Sequence, residues 1–232
     1  MHVQTAASAN SGLGAFAAFR GRGTGNPLSA IGSLHKKAPG EAVFLEGDAA
    51  DSIYEVVRGT LRLYKMLPDG RRQIVGFMTA GHLLGLAPEG QFVYSVDAVT
   101  EVTLCRYKRT AFDRLIDEVP GLARRLLSAT SHELSIAQNQ MLLLGRKTAV
   151  EKVASFILIT ADLQAGSDDE VDVPMTRSDI ADHLGLTIET VSRTLTKLKA
   201  EGLIALPTPT RLEIRDRDGL EGVAAGESCG EL

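Results

Sequence analysis

Cysteine is nearly absent from this 232-residue sequence. Its two cysteines, Cys105 and Cys229, lie far apart in the chain and form no CxxC pair. This scarcity excludes a disulfide framework and a cysteine-bound zinc or iron–sulfur cluster. Because unpaired thiols are typical of reducing compartments, the cysteine usage predicts a cytoplasmic protein.

Long apolar runs and an excess of positive charge are also missing. The longest strongly apolar run, at residues 141–144, is far shorter than the roughly 20 residues of a membrane-spanning helix. The 25 basic and 29 acidic residues give a net charge of -4, so any contact with nucleic acid has to come from a local basic patch. The composition, 44% hydrophobic and 23% charged, predicts a soluble globular chain without membrane contacts.

Acidic residues are missing from the N-terminal segment, where Gly, Ala and Ser dominate and Glu41 is the first acid. Residues 1–33 are therefore predicted to form a flexible tail. A transit peptide is the alternative, but such peptides are rich in arginine and this segment contains only Arg20 and Arg22. Residues 217–232, which are also rich in glycine, are predicted to form a second flexible tail.

Short alternating or apolar runs, separated by glycine-containing turns such as Pro68-Asp69-Gly70, fill residues 36–107. Strands at this spacing predict an antiparallel barrel or sandwich and argue against βαβ units. We assign residues 34–120 to this β domain.

Glycines become scarce after Lys108, and the pattern becomes helical. A short helix is predicted for residues 110–119, followed by a long one that starts after Pro120-Gly121 and is ended by Gly145. Along residues 121–145, one set of positions recurs at steps of three and four residues, which is the spacing of a coiled-coil seam. The seam comprises Ala123, Leu127, Thr130, Leu134, Ala137, Met141 and Leu144.

Two readings of this seam are open. A helix with one apolar stripe usually packs on its own domain. Here a second stripe is available for that purpose, and two apolar faces need two partners, so we favour a parallel homodimer. The second stripe comprises Leu122, Leu126, Ala129 and Ile136.

Residues 146–216 carry the pattern of a winged helix-turn-helix. A helix at residues 148–163 is followed by a polar loop at residues 164–170. Thr176 with Asp179 three residues later predicts the start of a helix, Gly185 permits a tight turn, and Thr187 predicts the start of a second helix. Its buried positions are expected to be Ile188, Val191, Leu195 and Leu198. Residues 203–214 have the pattern of a hairpin.

One face of the second helix carries residue types that read DNA bases. Glu189, Ser192, Arg193 and Thr196 lie at i, i+3, i+4 and i+7. Arginine can bond guanine O6 and N7, and glutamate can accept a hydrogen bond from cytosine N4. Thr190, Lys197 and Lys199 add hydroxyls and positive charge suited to phosphates. The alternative is an ordinary solvent-exposed Glu189–Arg193 ion pair.

Residues 175–206, with TIETVSR at residues 187–193, closely resemble the DNA-binding end of the CRP/FNR family of transcription regulators, and most closely its FixK-like branch. Upstream, FLEGD at residues 44–48 resembles that family's sensory β-roll. The resemblance covers residues 34–214. It implies an α+β protein with an N-terminal antiparallel β-roll, a long dimerisation helix and a C-terminal winged helix-turn-helix.

The resemblance also implies partners and a site. These are double-stranded DNA bearing a palindrome similar to TTGA-N6-TCAA, a second copy of the chain as a homodimer, and RNA polymerase, which such proteins contact when they activate transcription. Glu189 and Arg193 would read the G·C pair, with Ser192 and Ile188 near the adjacent thymines. The expected DNA-binding residues are Thr176, Arg177, Ser178, Thr187, Ile188, Glu189, Thr190, Ser192, Arg193 and Lys197.

The chain departs from the effector-binding members of the family. Cyclic AMP binders carry a Gly-Glu pair and a later Arg-Ser pair, where the Glu holds ribose and the Arg holds phosphate. Leu86 replaces that Glu and Tyr94 replaces that Arg, although Glu89 is a possible displaced ribose ligand. Oxygen sensors with an iron–sulfur cluster carry cysteines near the N-terminus, and this chain has none before Cys105.

Other effectors remain alternatives. Cys105 or Cys229 is open as a thiol switch, although Cys105 is expected to be buried. Haem would need an axial ligand, and no spacing singles one out among the four candidates. These are His35, His82, His132 and His183. We predict no bound cofactor and no metal.

No enzyme is predicted, because fragments that resemble catalytic motifs lack their required context. For example, His132-Glu133 begins like a zinc-protease HExxH motif, but Ile136 occupies the second ligand position. The sequence predicts a DNA-binding regulator, and the resemblance implies an activator of genes for low-oxygen metabolism or nitrogen fixation. The alternatives are a haem- or cyclic-nucleotide-gated regulator of the same family, and a nucleotide sensor whose helix-turn-helix contacts protein.

Overall fold

The computed structural model describes residues 27–86, 90–164 and 170–227, with only the backbone of Pro27 and His132. Its N-terminal strands pair into two antiparallel sheets, and the predicted β-roll is confirmed. The strands are β1 (Gly32–Lys37), β2 (Ala42–Phe44), β3 (Ser52–Arg58), β4 (Leu61–Met66), β5 (Arg72–Met78), β6 (Leu83–Leu84), β7 (Ser95–Ala98) and β8 (Val102–Lys108). The sheet orders are β1-β8-β3-β6 and β2-β7-β4-β5, and side chains of both sheets form one core.

Residues 27–33, which were predicted to belong to a flexible tail, are folded onto the β-roll. Residues Pro27–Ala30 form a 3-10 helix, and Leu28 is fully buried in a cluster that includes Ile53 and Tyr107. Strand β1 then pairs with β8 from Gly32 onward. The tail prediction is therefore wrong for residues 27–33, because apolar side chains there find a place on the β-roll. Residues 1–26 lie outside the described part.

The helices follow the predicted order. They are α1 (Arg109–Glu118), α2 (Leu122–Arg146), α3 (Ala149–Leu163), α4 (Arg177–Leu184), α5 (Ile188–Ala200) and α6 (Arg217–Ala225). Gly145 was expected to end α2, but the helix continues through Arg146 and is closed by the Lys147 N–H bonding the Leu143 carbonyl. A helical glycine costs only about 1 kcal/mol relative to alanine, so the surrounding turns carry the helix past it.

Helices α3 to α6 share a core with a three-stranded sheet. Its strands are β9 (Glu170–Asp172), β10 (Ile204–Thr208) and β11 (Arg211–Ile214), in the order β10-β11-β9. The predicted hairpin at residues 203–214 corresponds to β10 and β11. Among the described residues, none of the helices is both long enough and apolar enough to cross a bilayer.

Helix α6 occupies a segment predicted to be a flexible tail. The Asp216 side chain caps it by accepting a hydrogen bond from the Gly219 N–H at 2.9 Å. Leu220, Val223 and Ala224 are buried in the core shared with α3. The prediction is wrong for residues 217–225, since burial of these apolar side chains stabilises a helix that local propensity disfavours. Residues 228–232, with Cys229, lie outside the described part.

Candidate nucleic-acid interface

Helix α4 starts with the predicted capping box. The Asp179 N–H donates to Thr176 Oγ1 at 3.1 Å, and the Thr176 N–H donates to Asp179 Oδ2 at 3.1 Å. Gly185, with a φ of 63°, ends the helix in the left-handed region that favours glycine. These contacts orient α4 against the helix that follows the turn.

Helix α5 is capped by Thr187, whose hydroxyl accepts a hydrogen bond from the Thr190 N–H at 3.2 Å. Val191, Leu195 and Leu198 are buried as predicted. Ile188 was also expected to be buried, but 46% of it is exposed, because it lies in the first turn of the helix beyond the core. The sequence pattern missed Thr194, which is buried in place of an apolar residue.

The outward face of α5 presents Glu189, Ser192, Arg193 and Thr196, which are all exposed. Hydrogen bonds from its own backbone N–H and the Thr187 hydroxyl lower the pKa of Glu189, and the charge of Arg193 adds to this effect. Glu189 is therefore an ionised acceptor at neutral pH. The Thr196 hydroxyl donates to the Ser192 carbonyl at 2.9 Å, so it is used within the helix. The Glu189 carboxylate thus presents hydrogen-bond acceptors, and the Arg193 guanidinium presents several hydrogen-bond donors one helical turn away.

Residues expected to contact phosphate surround this face. Thr176, Thr187 and Lys197 are exposed. The Lys197 ammonium lies 3.8 Å from a Glu201 carboxylate oxygen, an exposed pair at i and i+4 that phosphate can displace. Arg177, Ser178 and Thr190 are half-buried. Burial lowers the pKa of Arg177, but an arginine remains charged at neutral pH.

The predicted seam of α2 is uncovered in the single chain. Leu127, Leu134 and Met141 are 68%, 58% and 69% exposed, and Ala123, Thr130 and Ala137 are also exposed. Leu144 differs, since it is half-buried against the core of the C-terminal unit. Such a contiguous apolar stripe on one helix is the pattern expected of an interface.

The opposite side of α2 packs on its own chain. Leu122 and Ala129 are buried with Phe112 of α1, and Leu126 is half-buried beside them. Ile136 was expected to join this stripe, but it is 39% exposed. The stripe reaches the β domain only over the first two turns of the helix, which explains why Ile136 is left outside.

Aromatic side chains occupy the core of the β-roll, where cyclic AMP-binding members of the family would need a charged partner for phosphate. Phe44 and Phe92 stack with ring centroids 3.7 Å apart in its core, and Tyr54 and Tyr94 lie 5.7 and 6.0 Å from Phe44. Burial raises the pKa of Tyr94, so its hydroxyl is neutral and supplies no charge for a phosphate. Leu86 is exposed. Glu89 lies outside the described residues.

The histidines and the cysteine considered as effector ligands or switches lie in different parts of the structure. His35 bonds Ser33 on β1, His82 bonds the Thr79 backbone, and His183 lies near α3. The side chain of His132 lies outside the described part. Cys105 was expected to be buried, and it is half-buried against the cluster that contains Leu28 and Tyr107. Within residues 27–86, 90–164 and 170–227, no three His, Cys, Asp or Glu side chains form a metal site.

His183 joins the β-roll to the helix-turn-helix. Its Nδ1 donates to the Ile74 carbonyl at 3.2 Å, and its Nε2 lies 3.3 Å from the Gln140 amide nitrogen. The rings of Phe77 and Phe156 meet it edge-on, with centroids 5.3 and 5.9 Å away. Burial lowers the pKa of His183, and the bond to Ile74 only partly opposes this effect, so the imidazole is neutral at pH 7.

Acidification is expected to destabilise the protein through His183. The unfolded histidine takes up a proton near pH 6.5, while the folded one does so only at lower pH. The free energy of unfolding is therefore unaffected by this group above about pH 6.5 and falls below it, by at most about 1.4 kcal/mol per pH unit. Urea midpoints between about pH 7.5 and about pH 5 should show this slope in the wild type and a shallower one in His183→Gln. Equal slopes would contradict the prediction.

Comparison with known proteins agrees with this architecture. Residues 34–119 match the family model of the cyclic nucleotide-binding domain, and residues 151–223 match that of the Crp-like helix-turn-helix domain. The transcriptional activatory protein AadR of Rhodopseudomonas palustris is 47% identical over 190 residues, which span 81% of this chain and 79% of AadR. The nitrogen fixation regulation protein FixK of Bradyrhizobium diazoefficiens is 51% identical over 170 residues, 72% of each chain.

A solved structure shows the same similarity in three dimensions. FixK2 from Bradyrhizobium japonicum matches with a TM-score of 0.79 and 35% sequence identity, and the match covers 83% of this chain and 97% of that chain. The similarity therefore extends over both the β-roll and the helix-turn-helix.

Proposed function

The chain belongs to the CRP/FNR family of transcription regulators, with a DNA-binding helix-turn-helix and FixK- and AadR-type relatives, and we propose that it is an activator that binds a palindrome similar to TTGA-N6-TCAA as a homodimer. The observation that carries this proposal is the outward face of α5. There an ionised Glu189 and an exposed Arg193 stand one turn apart on a helix fixed by its cap and core.

Base recognition follows from the chemistry of that face. The Arg193 guanidinium is suited to O6 and N7 of the guanine in TTGA, and the Glu189 carboxylate to N4 of the paired cytosine. Ser192 and the exposed Ile188 would contact the adjacent thymines, where an apolar side chain can touch the C5 methyl group. Thr176, Arg177, Ser178, Thr187, Thr190 and Lys197 would hold the phosphates.

Two-fold symmetry of the site requires two-fold symmetry of the protein. The exposed seam of α2 supports pairing with a second copy through Ala123, Leu127, Thr130, Leu134, Ala137, Met141 and Leu144. The proposal also includes a contact with RNA polymerase, a cytoplasmic location, and target genes for low-oxygen metabolism or nitrogen fixation. The names of the relatives, a transcriptional activatory protein and a nitrogen fixation regulation protein, support activation and a link to nitrogen fixation. The aromatic packing of the β-roll core and the uncharged Tyr94 support activity without a cyclic nucleotide.

Fluorescence anisotropy with TTGAT-N4-ATCAA and with a duplex whose G·C pairs are inverted tests this function. One salt concentration must be used throughout, because phosphate contacts depend steeply on salt. We expect the ligand-free protein to prefer the palindrome by about 10³-fold or more. Preference that arises only after addition of haem, a cyclic nucleotide or an oxidant would overturn the ligand-independent reading. No preference under any condition would overturn the proposed site.

Lys197→Ala is expected to weaken binding to the palindrome and to the inverted duplex by similar factors. Its exposed ammonium would contact a phosphate, which carries no sequence information. The slope of log affinity against log salt should also become shallower, by the contribution of about one phosphate contact per protomer. A loss confined to the palindrome would instead assign Lys197 to a base.

A further inference from the structure

We propose that Arg62 and Arg72 of the β-roll clamp Asp179 of α4 and thereby fix the helix-turn-helix relative to the dimerisation helix, so that the dimer selects one spacer length between half-sites. This inference rests on the proposed function and deepens it, since it assigns positioning residues outside the DNA-binding unit.

The clamp joins residues more than one hundred positions apart in the chain. Arg62 Nη1 and Arg72 Nη2 each donate to Asp179 Oδ1 at 2.7 Å. Arg72 also donates to Asp182 Oδ2, from Nε at 2.9 Å and from Nη2 at 2.8 Å. Only 2% of the Asp179 side chain is exposed. A carboxylate so deeply buried needs these positive partners, because an unpaired buried charge is strongly destabilising.

The β-roll holds the clamp in place from its own side. Arg62 Nη2 donates to Asp97 Oδ2 on β7 at 3.0 Å, so one guanidinium links a β-roll strand to α4. The guanidinium of Arg72 lies 5.9 Å from the centre of the Tyr64 ring on β4. The planar fork of arginine makes both connections at once, which a lysine ammonium cannot do with the same geometry.

Asp179 also caps α4, and this makes the clamp relevant to DNA. Its Oδ2 accepts the Thr176 N–H and hydroxyl at 3.1 and 2.7 Å, while its Oδ1 accepts both arginines. One carboxylate therefore fastens the first turn of α4, with Thr176, Arg177 and Ser178, to the β-roll. Movement of the β-roll relative to α4 would displace the phosphate-binding turn.

The remaining contacts of this interface support the same placement. Gln73 Nε2 on β5 donates to the Asp182 carbonyl at 2.8 Å, and Phe77 packs edge-on against Phe156 of α3. The outward face of α5 stays exposed in this docked arrangement. The interface thus fixes the orientation of the recognition helix without covering it.

Arg72→Gln tests the clamp, with Arg71→Gln as its matched control. Arg71 is the neighbouring residue, 78% exposed, and pairs with Asp69 in the same hairpin, so both variants lose one charge but only Arg72→Gln loses contacts with α4. Affinity would be measured for palindromes with N5, N6 and N7 spacers and for a duplex with one half-site. We expect Arg72→Gln to lower the N6 preference about 10-fold, a usual size for coupling between two sites, with half-site affinity little changed.

Further readouts separate positioning from simple loss of structure. Arg72→Lys should retain more of the N6 preference than Arg72→Gln does, because lysine keeps the positive charge. Asp182→Asn should also lower the N6 preference, but by less than Arg72→Gln does, because Asp179 keeps both arginines. Hydrogen exchange of the α4 amides should be faster in Arg72→Gln than in Arg71→Gln.

The possible results distinguish failure of the clamp from failure of the proposed function. An unchanged spacer preference in Arg72→Gln, or an equal loss on all duplexes including the half-site, would overturn the clamp. If the wild type does not prefer the palindrome over the inverted duplex, the proposed function fails. In that case hydrogen exchange of α4 still decides the clamp, because equal exchange in Arg72→Gln and Arg71→Gln would refute it.

Discussion

Replacement of Leu134 by Glu is expected to convert the protein to a monomer and to lower its affinity for the palindrome at least about 100-fold, the factor commonly gained by joining two binding modules. Leu134 lies midway along the seam and is 58% exposed in the single chain, so its loss leaves each protomer folded. In a parallel homodimer the two introduced carboxylates would face each other across an apolar interface. Two like charges taken out of water there oppose association.

Sedimentation would report the oligomeric state, and anisotropy the DNA affinity. Ile136→Glu is the matched control, since the same change is made on the same helix about 200° away from Leu134. We expect this control to remain dimeric. A dimeric Leu134→Glu protein with wild-type affinity would show that α2 does not pair through the seam.

Arg193→Ala is expected to cost about 1 to 3 kcal/mol on each half-site and to relax the choice of base at its G·C pair. Arg193 is exposed and lies on the outward face of α5, so truncation removes its bonds to guanine without opening a cavity. Affinity would be compared on the palindrome and on duplexes with each substitution of that pair. The variant should discriminate among these duplexes less than the wild type does, and what preference remains would come from Glu189 at the paired cytosine.

Lys199→Ala serves as the control for Arg193→Ala because it removes the same charge from the same helix. Lys199 is exposed near the end of α5. We expect Lys199→Ala to keep the wild-type preference at the G·C pair. If Arg193→Ala also keeps that preference and merely binds all duplexes more weakly, Arg193 contacts phosphate and the base-reading role belongs to another residue.

Local signals explain why much of the candidate site could be predicted from the sequence. The caps at Thr176 and Thr187 and the turn at Gly185 involve residues only three or four positions from their partners. Such contacts leave a pattern in a short stretch of sequence. The seam of α2 was equally visible, because its spacing follows directly from helix geometry.

Features set by distant packing could not be predicted in this way. Helix α6 contains Gly219 and Gly222, which weaken a helix by about 1 kcal/mol each, so its sequence resembles a tail until the core around Leu220 is known. Asp179 was recognised as a cap, but nothing near it points to Arg62 and Arg72, which lie 117 and 107 residues away. Pairing across such separations depends on the docking of the two units.

Helix α6 also determines when the DNA-binding unit can be completed during synthesis. Its buried face belongs to the core shared with α3, and the Lys147 ammonium, just after α2, donates to the Ala224 carbonyl at 2.8 Å. A ribosome releases the chain from its N-terminus at roughly 5–20 residues per second. The β-roll, whose last strand ends at Lys108, has left the ribosome well before residue 225 does. The DNA-binding unit therefore acquires its full core only when the β-roll, with Arg62 and Arg72, is already present.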